Sequence, residues 1–257
     1  MFHDSECTSA AAGESGEHKH QAVKYRFSSK RNCVFLTKNG PENLVVKVYA
    51  PPGANLEKEI KMLYELNKKG VAVPRIVETD HESITMEYLD GPLLLDIFER
   101  QEKTAGSQSK LLAEPVHAAI NSLCHWLMSF YDAARNMDNA QIILGEVNFR
   151  NFIFKEKIYG IDFEECRHGR IEEDIGKLCA FALTYAPPFT PWKIAAAGEL
   201  FKILTGELNL DRERVKAEIT KELLAIATRR NSVPEMLQAM IEIFLHDSAE
   251  FINEVFK

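Results

Sequence analysis

The sequence predicts an α+β protein of two lobes, a small N-terminal lobe built on an antiparallel sheet with one helix and a larger, mostly helical C-terminal lobe. Three observations predict it. Short β-branched and aromatic runs bounded by turn formers fill the chain up to about residue 90. Helical spacing of apolar residues dominates after it. One further short hairpin interrupts the helical part near residues 152–159. At 257 residues the chain has the length for such an arrangement with ample core.

Residues 1–21 are polar and rich in Ser, Ala, Gly and Glu, which predicts a disordered tail ahead of an N-terminal lobe at 22–90 and a C-terminal lobe at 91–257. His3, Cys7, His18 and His20 in that tail match no zinc-ligand spacing. The first hairpin reads Tyr25 to Phe35. Val45-Val46-Lys47-Val48-Tyr49 follows as a strand with a lysine at its centre, unusual unless the strand faces water or a ligand. Pro51-Pro52-Gly53 ends it, and Asn55 is a good N-cap for the next helix. On that helix Glu59, Met62, Leu63 and Leu66 share a face. A carboxylate on an apolar face needs a partner, because an unpaired buried charge is costly. Lys47 is the candidate, although Glu59 among Glu57, Lys58 and Lys61, taken in isolation, better suits a solvated position.

Residues 72–77 and 83–91 read as two more strands, the second running into a turn at Asp90-Gly91-Pro92. Residues 101–110 read as a polar loop between helices. Ala118, Leu123, Trp126, Leu127, Phe130 and Tyr131 mark a long core helix from Pro115 to about Asn136. Thr190-Pro191 is an N-cap followed by an N1 proline, and Ser232-Val233-Pro234-Glu235 fits a capping box opening a later helix.

The segment most informative about chemistry is Gly145-Glu146-Val147-Asn148-Phe149-Arg150-Asn151, with Asp162 following in Tyr159-Gly160-Ile161-Asp162-Phe163. Phe152-Ile153-Phe154 and Ile158-Tyr159 read as strands around a Lys155-Glu156-Lys157 turn. Closing that hairpin brings Asn151 and Asp162 together at one end, with Glu146 on the loop leading in. Asn and Asp there offer hard oxygen ligands of the kind Mg²⁺ takes beside waters and phosphates. A nearby acid can orient or deprotonate a hydroxyl, the division of labour in kinase-type phosphoryl transfer. The hairpin alone would equally suit an ordinary surface turn.

The order of parts is more specific than any one of them: lysine strand, glutamate helix, two strands, Met86-Glu87-Tyr88-Leu89-Asp90-Gly91, a helical stretch, the acid-to-Asn loop and Ile161-Asp162-Phe163-Glu164. Over about residues 23–185 this set resembles the protein-kinase-like superfamily, and within it the aminoglycoside phosphotransferase and choline kinase branch. Asp174-Ile175-Gly176-Lys177-Leu178 is similar to that branch's helix start, whose Asp braces the catalytic loop. The resemblance implies ATP in an interlobe cleft, its adenine against the backbone of Glu87 and Leu89, with Ser28 and Ser29 over the phosphates. It further implies Lys47, oriented by Glu59, on the phosphates, Asn151 and Asp162 on Mg²⁺, and Glu146 on the acceptor hydroxyl of a small molecule. A pseudokinase that binds nucleotide without turnover is the alternative. A protein kinase is a second, disfavoured because about ten residues separate Glu164 from the Asp174 helix, too few for an activation loop.

This chain departs from the pattern at defined places. Leu144 stands where the branch usually has His, and Glu146 where it has the catalytic Asp. Val147-Asn148-Phe149-Arg150 lacks the usual His or Lys two residues beyond the acid, and the first hairpin has no glycine. One extra methylene displaces a carboxylate by about 1.5 Å, and misplacement of about 1 Å can cost around a hundredfold in rate.

A formal net charge of −7 argues against general nucleic-acid binding, which needs clustered Lys and Arg. Cys7, Cys33, Cys124, Cys166 and Cys179 are dispersed without Cys-x-x-Cys spacing, which predicts reduced thiols. No run approaches a membrane span, and the N-terminus carries acids where a signal peptide needs an apolar core. A cytoplasmic protein is expected.

Overall fold

The computed structural model describes residues 24–27, 29, 31–51, 53–135, 137, 140–229 and 255–256. The expected tail, Ser28 and the capping box at 232–235 lie outside the described residues.

Five strands form one antiparallel sheet: β1 (Tyr25–Phe27), β2 (Cys33–Asn39), β3 (Glu42–Val48), β4 (Ile76–Thr79) and β5 (Ser83–Glu87), in the order β1-β2-β3-β5-β4. β3 is central, so Lys47 is flanked by Val34 of β2 and Ile84 of β5. Gly40, with φ of 59°, makes the tight β2–β3 connection that a side chain would strain. Helix α1 (Ala54–Lys68) lays Leu56, Met62, Leu63 and Leu66 into the core shared with Ile84 and Met86. It begins at Ala54 and not at an Asn55 cap. Gly53, with φ of 147°, turns the chain, and its carbonyl accepts the Glu57 amide at 3.2 Å, which puts Asn55 inside the first turn.

The expected strand at 72–77 is shorter, because β4 covers only Ile76–Thr79. The reason is tertiary. The Ala72 carbonyl is taken by the Trp126 indole at 2.7 Å and the Gly160 amide at 3.1 Å, which tie this linker to the second lobe. Gly160 is required there, since a Cβ would come to 2.1 Å from the Trp126 ring. β5 likewise stops at Glu87, ahead of the expected turn.

The second lobe contains α2 (Leu94–Ala105), α3 (Glu114–Arg135), β6 (Ile142–Ile143), a 3-10 turn (Phe149–Asn151), β7 (Phe152–Phe154), β8 (Ile158–Gly160), β9 (Arg167–His168), α4 (Ile171–Thr184), α5 (Pro191–Glu207) and α6 (Arg212–Arg229). β7 pairs with β8 and β6 with β9, both antiparallel. Residues 101–105, expected as loop, are the last turn of α2. Glu102 explains the difference: it is buried against Lys193, and it accepts from the Thr190 hydroxyl at 2.5 Å, so a residue polar in sequence has a tertiary partner. Thr190 is the N-cap of α5 as expected, accepting from the Lys193 amide at 3.2 Å, with Pro191 at the start of the helix. Trp126, Phe130 and Phe163 stack in the core directly behind the hairpin that carries Asp162. No disulfide joins the four described cysteines. No helix among the described residues is long and apolar enough to cross a membrane.

Candidate active site

Strand alternation sends Lys47 and Tyr49 to one face of β3, towards α1 and the second lobe. The Lys47 ammonium lies 2.7 Å from Glu59 Oε2, 2.5 Å from Asp162 Oδ1 and 3.8 Å from Glu164 Oε2. Glu59 is 1 % exposed, which excludes a solvated position, and the Tyr49 hydroxyl donates to the same carboxylate. Burial opposes the charge on Lys47, but Glu59 and Asp162 outweigh it and hold its pKa above the ordinary lysine value. The lysine therefore stays cationic at the end of a buried bridge that spans both lobes.

Asp162 reaches this cluster from the other side. Phe152 pairs with Gly160, and the Ile161 amide donates to the Asn151 carbonyl at 2.9 Å. Asn151 and the Ile161–Asp162 segment are thereby held at one end of the hairpin. Asp162 adopts φ of 69°, a left-handed conformation costing on the order of 1 kcal/mol for a residue other than glycine. Its carboxylate is half exposed, between Lys47 and the cleft.

A second buried carboxylate organises the loop before Asn151. Asp174, in the first turn of α4, accepts from the Leu144 amide at 2.7 Å, the Gly145 amide at 3.0 Å and the Tyr131 hydroxyl at 3.0 Å. Lys177 donates to the Gly145 carbonyl, and the Tyr185 hydroxyl accepts from the Phe149 amide at 3.0 Å. Thus α4 and the Tyr185 that follows it hold the loop on both sides of Glu146.

Complete burial pushes the Asp174 carboxyl up to about 6, against the three donors. A raised folded-state pKa means that the unfolded chain releases this proton first as pH rises. The contribution of Asp174 to stability is therefore full below about pH 4 and is lost as pH rises through about 6, by on the order of 3 kcal/mol. Urea denaturation of the wild type and Asp174→Asn at pH 5 and pH 7 measures this. The difference in stability between the two pH values should shrink in the variant, and an unchanged difference would assign the effect elsewhere.

Of the residues singled out in sequence, Lys47, Glu59 and Asp162 come together directly, and Asn151 is buried at the hairpin stem, its carbonyl bonded to the residue before Asp162. Glu146 is exposed on the loop between β6 and the 3-10 turn. Ser29 accepts from the Asn32 amide at 3.4 Å, shaping the β1–β2 turn. The Glu87 amide donates to the Arg75 carbonyl at 3.0 Å, and its side chain accepts from the Arg75 amide at 2.9 Å, so the two ends of the β4–β5 unit are joined where the chain crosses between lobes. Leu89 is buried there.

Sequence reasoning missed Glu164 and Tyr49. Glu164 is 7 % exposed, accepts from Asn32 Nδ2 at 2.8 Å, and its carbonyl accepts from Lys58 at 2.8 Å. The spacing held a signal for Tyr49, which stands two residues from Lys47 and so on the same strand face. Glu59, Asp162 and Glu164 present oxygens all within 4.8 Å of one another, three carboxylates around one ammonium. This hard-oxygen set carries more negative charge than Lys47 neutralises, which suits a hard divalent cation beside the ammonium.

No family model matches the chain. The EKC/KEOPS complex subunit BUD32 of Encephalitozoon cuniculi (strain GB-M1) is 28% identical over 118 residues, 46% of this chain and 50% of that protein. The chain thus spans about half the length of this curated relative. Among solved structures, amicoumacin kinase hAmiN in complex with AMP-PNP, Ca²⁺ and Ami superposes with a TM-score of 0.50 at 14% identity, covering 90% of this chain and 87% of that one. WaaP in complex with acyl carrier protein gives a TM-score of 0.50 at 14% identity, covering 78% of this chain and 88% of that one. At such identities the likeness speaks to the fold, and it agrees with the sheet, the cleft and the hairpin described above: this chain has the two-lobed protein-kinase-like fold.

Proposed function

We infer that this protein is an ATP- and Mg²⁺-dependent phosphotransferase that acts on a hydroxyl of a small molecule. The observation that carries the reading is the meeting of Lys47, Glu59 and Asp162 across the two lobes, with Asn151 and Glu146 on the adjoining loop. In this reading Glu59 and Tyr49 aim the Lys47 ammonium at the nucleotide phosphates. Asp162 and Asn151 hold Mg²⁺, and Glu164 is close enough to join them. The metal would neutralise charge on the transferring phosphoryl group. Glu146 orients the acceptor hydroxyl and takes its proton, and Asp174 keeps that loop in register through the amides of Leu144 and Gly145. The adenine lies against the backbone of Glu87 and Leu89. The amicoumacin kinase, solved with AMP-PNP and Ca²⁺, supports a nucleotide and a divalent cation in a cleft of this fold. A cytoplasmic location, no nucleic-acid partner and no membrane partner belong to the same proposal.

A longer acid can still serve because phosphoryl transfer depends mainly on positioning and charge neutralisation. Lys47, Asn151 and Asp162 supply those, and a small shift of the loop accommodates the added methylene of Glu146. A nucleotide-binding regulator without turnover is the competing reading, favoured by Glu146 itself and by Asn148 two residues beyond it, where the pattern has a basic residue. Purified protein with ATP and either Mg²⁺ or Mn²⁺ should hydrolyse ATP slowly above buffer, and a broad set of small alcohols should contain an acceptor that becomes phosphorylated. Binding of ATP with neither hydrolysis nor any phosphorylated product would establish the regulator in place of the enzyme.

A further inference from the structure

The segment joining β1 to β2 has no glycine, so it lacks the bare backbone that a glycine-rich loop brings against phosphates. It carries Arg31 instead. The Arg31 guanidinium pairs with Glu165, just beyond the carboxylate cluster, and its neighbour Asn32 donates to Glu164. Glu165 is the main influence holding Arg31 firmly charged, and Glu146 and Glu164 add to it. Arg31 is therefore within electrostatic reach of both the acid proposed to face the acceptor and the acid beside the proposed metal site.

Two properties make this pairing provisional. The Arg31 side chain is 62 % exposed and that of Glu165 is 37 %, and an exposed pair of this kind holds weakly. The planar fork of a guanidinium also donates two parallel hydrogen bonds to a pair of phosphate oxygens, which a lysine ammonium cannot do. Lys47 contrasts with it: buried and bridged to Glu59, it is fixed in place. Glu146, Asp162, Glu164 and Glu165 would repel a triphosphate, and Arg31 is an exposed cation paired with one of them.

We propose that Arg31 is a phosphate-positioning residue that leaves Glu165 for the terminal phosphates of the bound nucleotide, so that a side chain of the β1–β2 turn does the work of a glycine-rich loop. The proposal rests on the nucleotide reading above and deepens it. Glu165 then competes with the phosphates for Arg31, and the two residues act on affinity in opposite directions.

Calorimetric titration with ATP and Mg²⁺, with ADP and Mg²⁺, and with adenosine tests this on the full chain. Arg31→Ala should weaken ATP binding about tenfold or more, the loss of a charge-assisted contact, with a smaller effect on ADP and none on adenosine. Arg31→Lys should recover part of that loss. Glu165→Gln should tighten ATP binding by up to about fivefold, the size of an exposed ion pair. In the double variant the gain from Glu165→Gln should vanish. Changes of the same sign in Arg31→Ala and Glu165→Gln would mean that the pair is only a latch between lobes, and would overturn the proposal. So would equal losses for ATP and adenosine, or ATP binding indifferent to Arg31. A wild type that binds none of the three ligands would remove the nucleotide reading itself, and Arg31's role with it.

Discussion

Asp162→Ala should abolish Mg²⁺-dependent binding of ATP, whereas Glu146→Gln should leave that affinity nearly intact and lower turnover by roughly 10²-fold or more. The two carboxylates belong to one short segment of chain, yet they face different tasks. Asp162 is 2.5 Å from Lys47 and shares a 4.8 Å neighbourhood with Glu59 and Glu164, where a cation would sit. Glu146 is exposed on the preceding loop and outside that cluster. Removing the first takes away a hard ligand at the metal, and removing the second takes away a proton acceptor at the hydroxyl. Calorimetry with ATP, with and without Mg²⁺, gives the affinities, and single-turnover kinetics gives the rates. Glu146→Asp should alter turnover without abolishing it, since it shortens the acid while preserving its charge. Equal loss of affinity in Asp162→Ala and Glu146→Gln would end this division of roles.

The second large effect is on stability. Lys47→Met should destabilise the protein by about 3–5 kcal/mol, because it leaves Glu59 buried with no cation. For a chain of this size that lowers the melting temperature by on the order of 10 °C. Asp162 adds less to the penalty, since its half-exposed carboxylate is screened by water. Two comparisons separate electrostatics from lost packing. Lys47→Met combined with Glu59→Leu should recover most of the stability, because an apolar pair of similar volume can replace a buried ion pair at little cost. Mg²⁺ or Ca²⁺ should also raise the melting temperature of Lys47→Met more than that of the wild type, since three carboxylates without their ammonium bind a cation more tightly. A double variant no more stable than Lys47→Met would trace the loss to packing around Tyr49 instead.

Much of this fold was readable in advance because its signals are local. The central strand around Lys47, the helix face of Glu59, the hairpin around Lys155–Lys157 and the Thr190 cap each follow from residues within a few positions of one another. The Lys47–Glu59 pair was legible for a further reason: Lys47 is out of place in an apolar strand, Glu59 shares a helix face with apolar residues, and a buried charge demands a partner. What spacing could not reveal is how distant segments compete for the same groups. Ala72 reads as strand but gives its carbonyl to Trp126 and Gly160, so β4 starts later. Glu102 reads as loop polarity but is buried against Lys193, 91 residues away, so α2 runs on. Glu164 reads as one more surface acid, and only the approach of Asn32, Lys58 and Lys47 from the other lobe makes it part of the site.

The sequence by itself therefore determined the α+β class, the order of the main elements and the Lys47–Glu59 partnership, because periodicity and the cost of an unpaired charge act over short stretches of chain. Only the tertiary structure decided that one ammonium serves three carboxylates, that Asp174 anchors the loop of Glu146, and that Arg31 pairs with Glu165. Those facts depend on which lobe surfaces meet, and electrostatic partnership across 100 residues or more leaves no trace in local pattern.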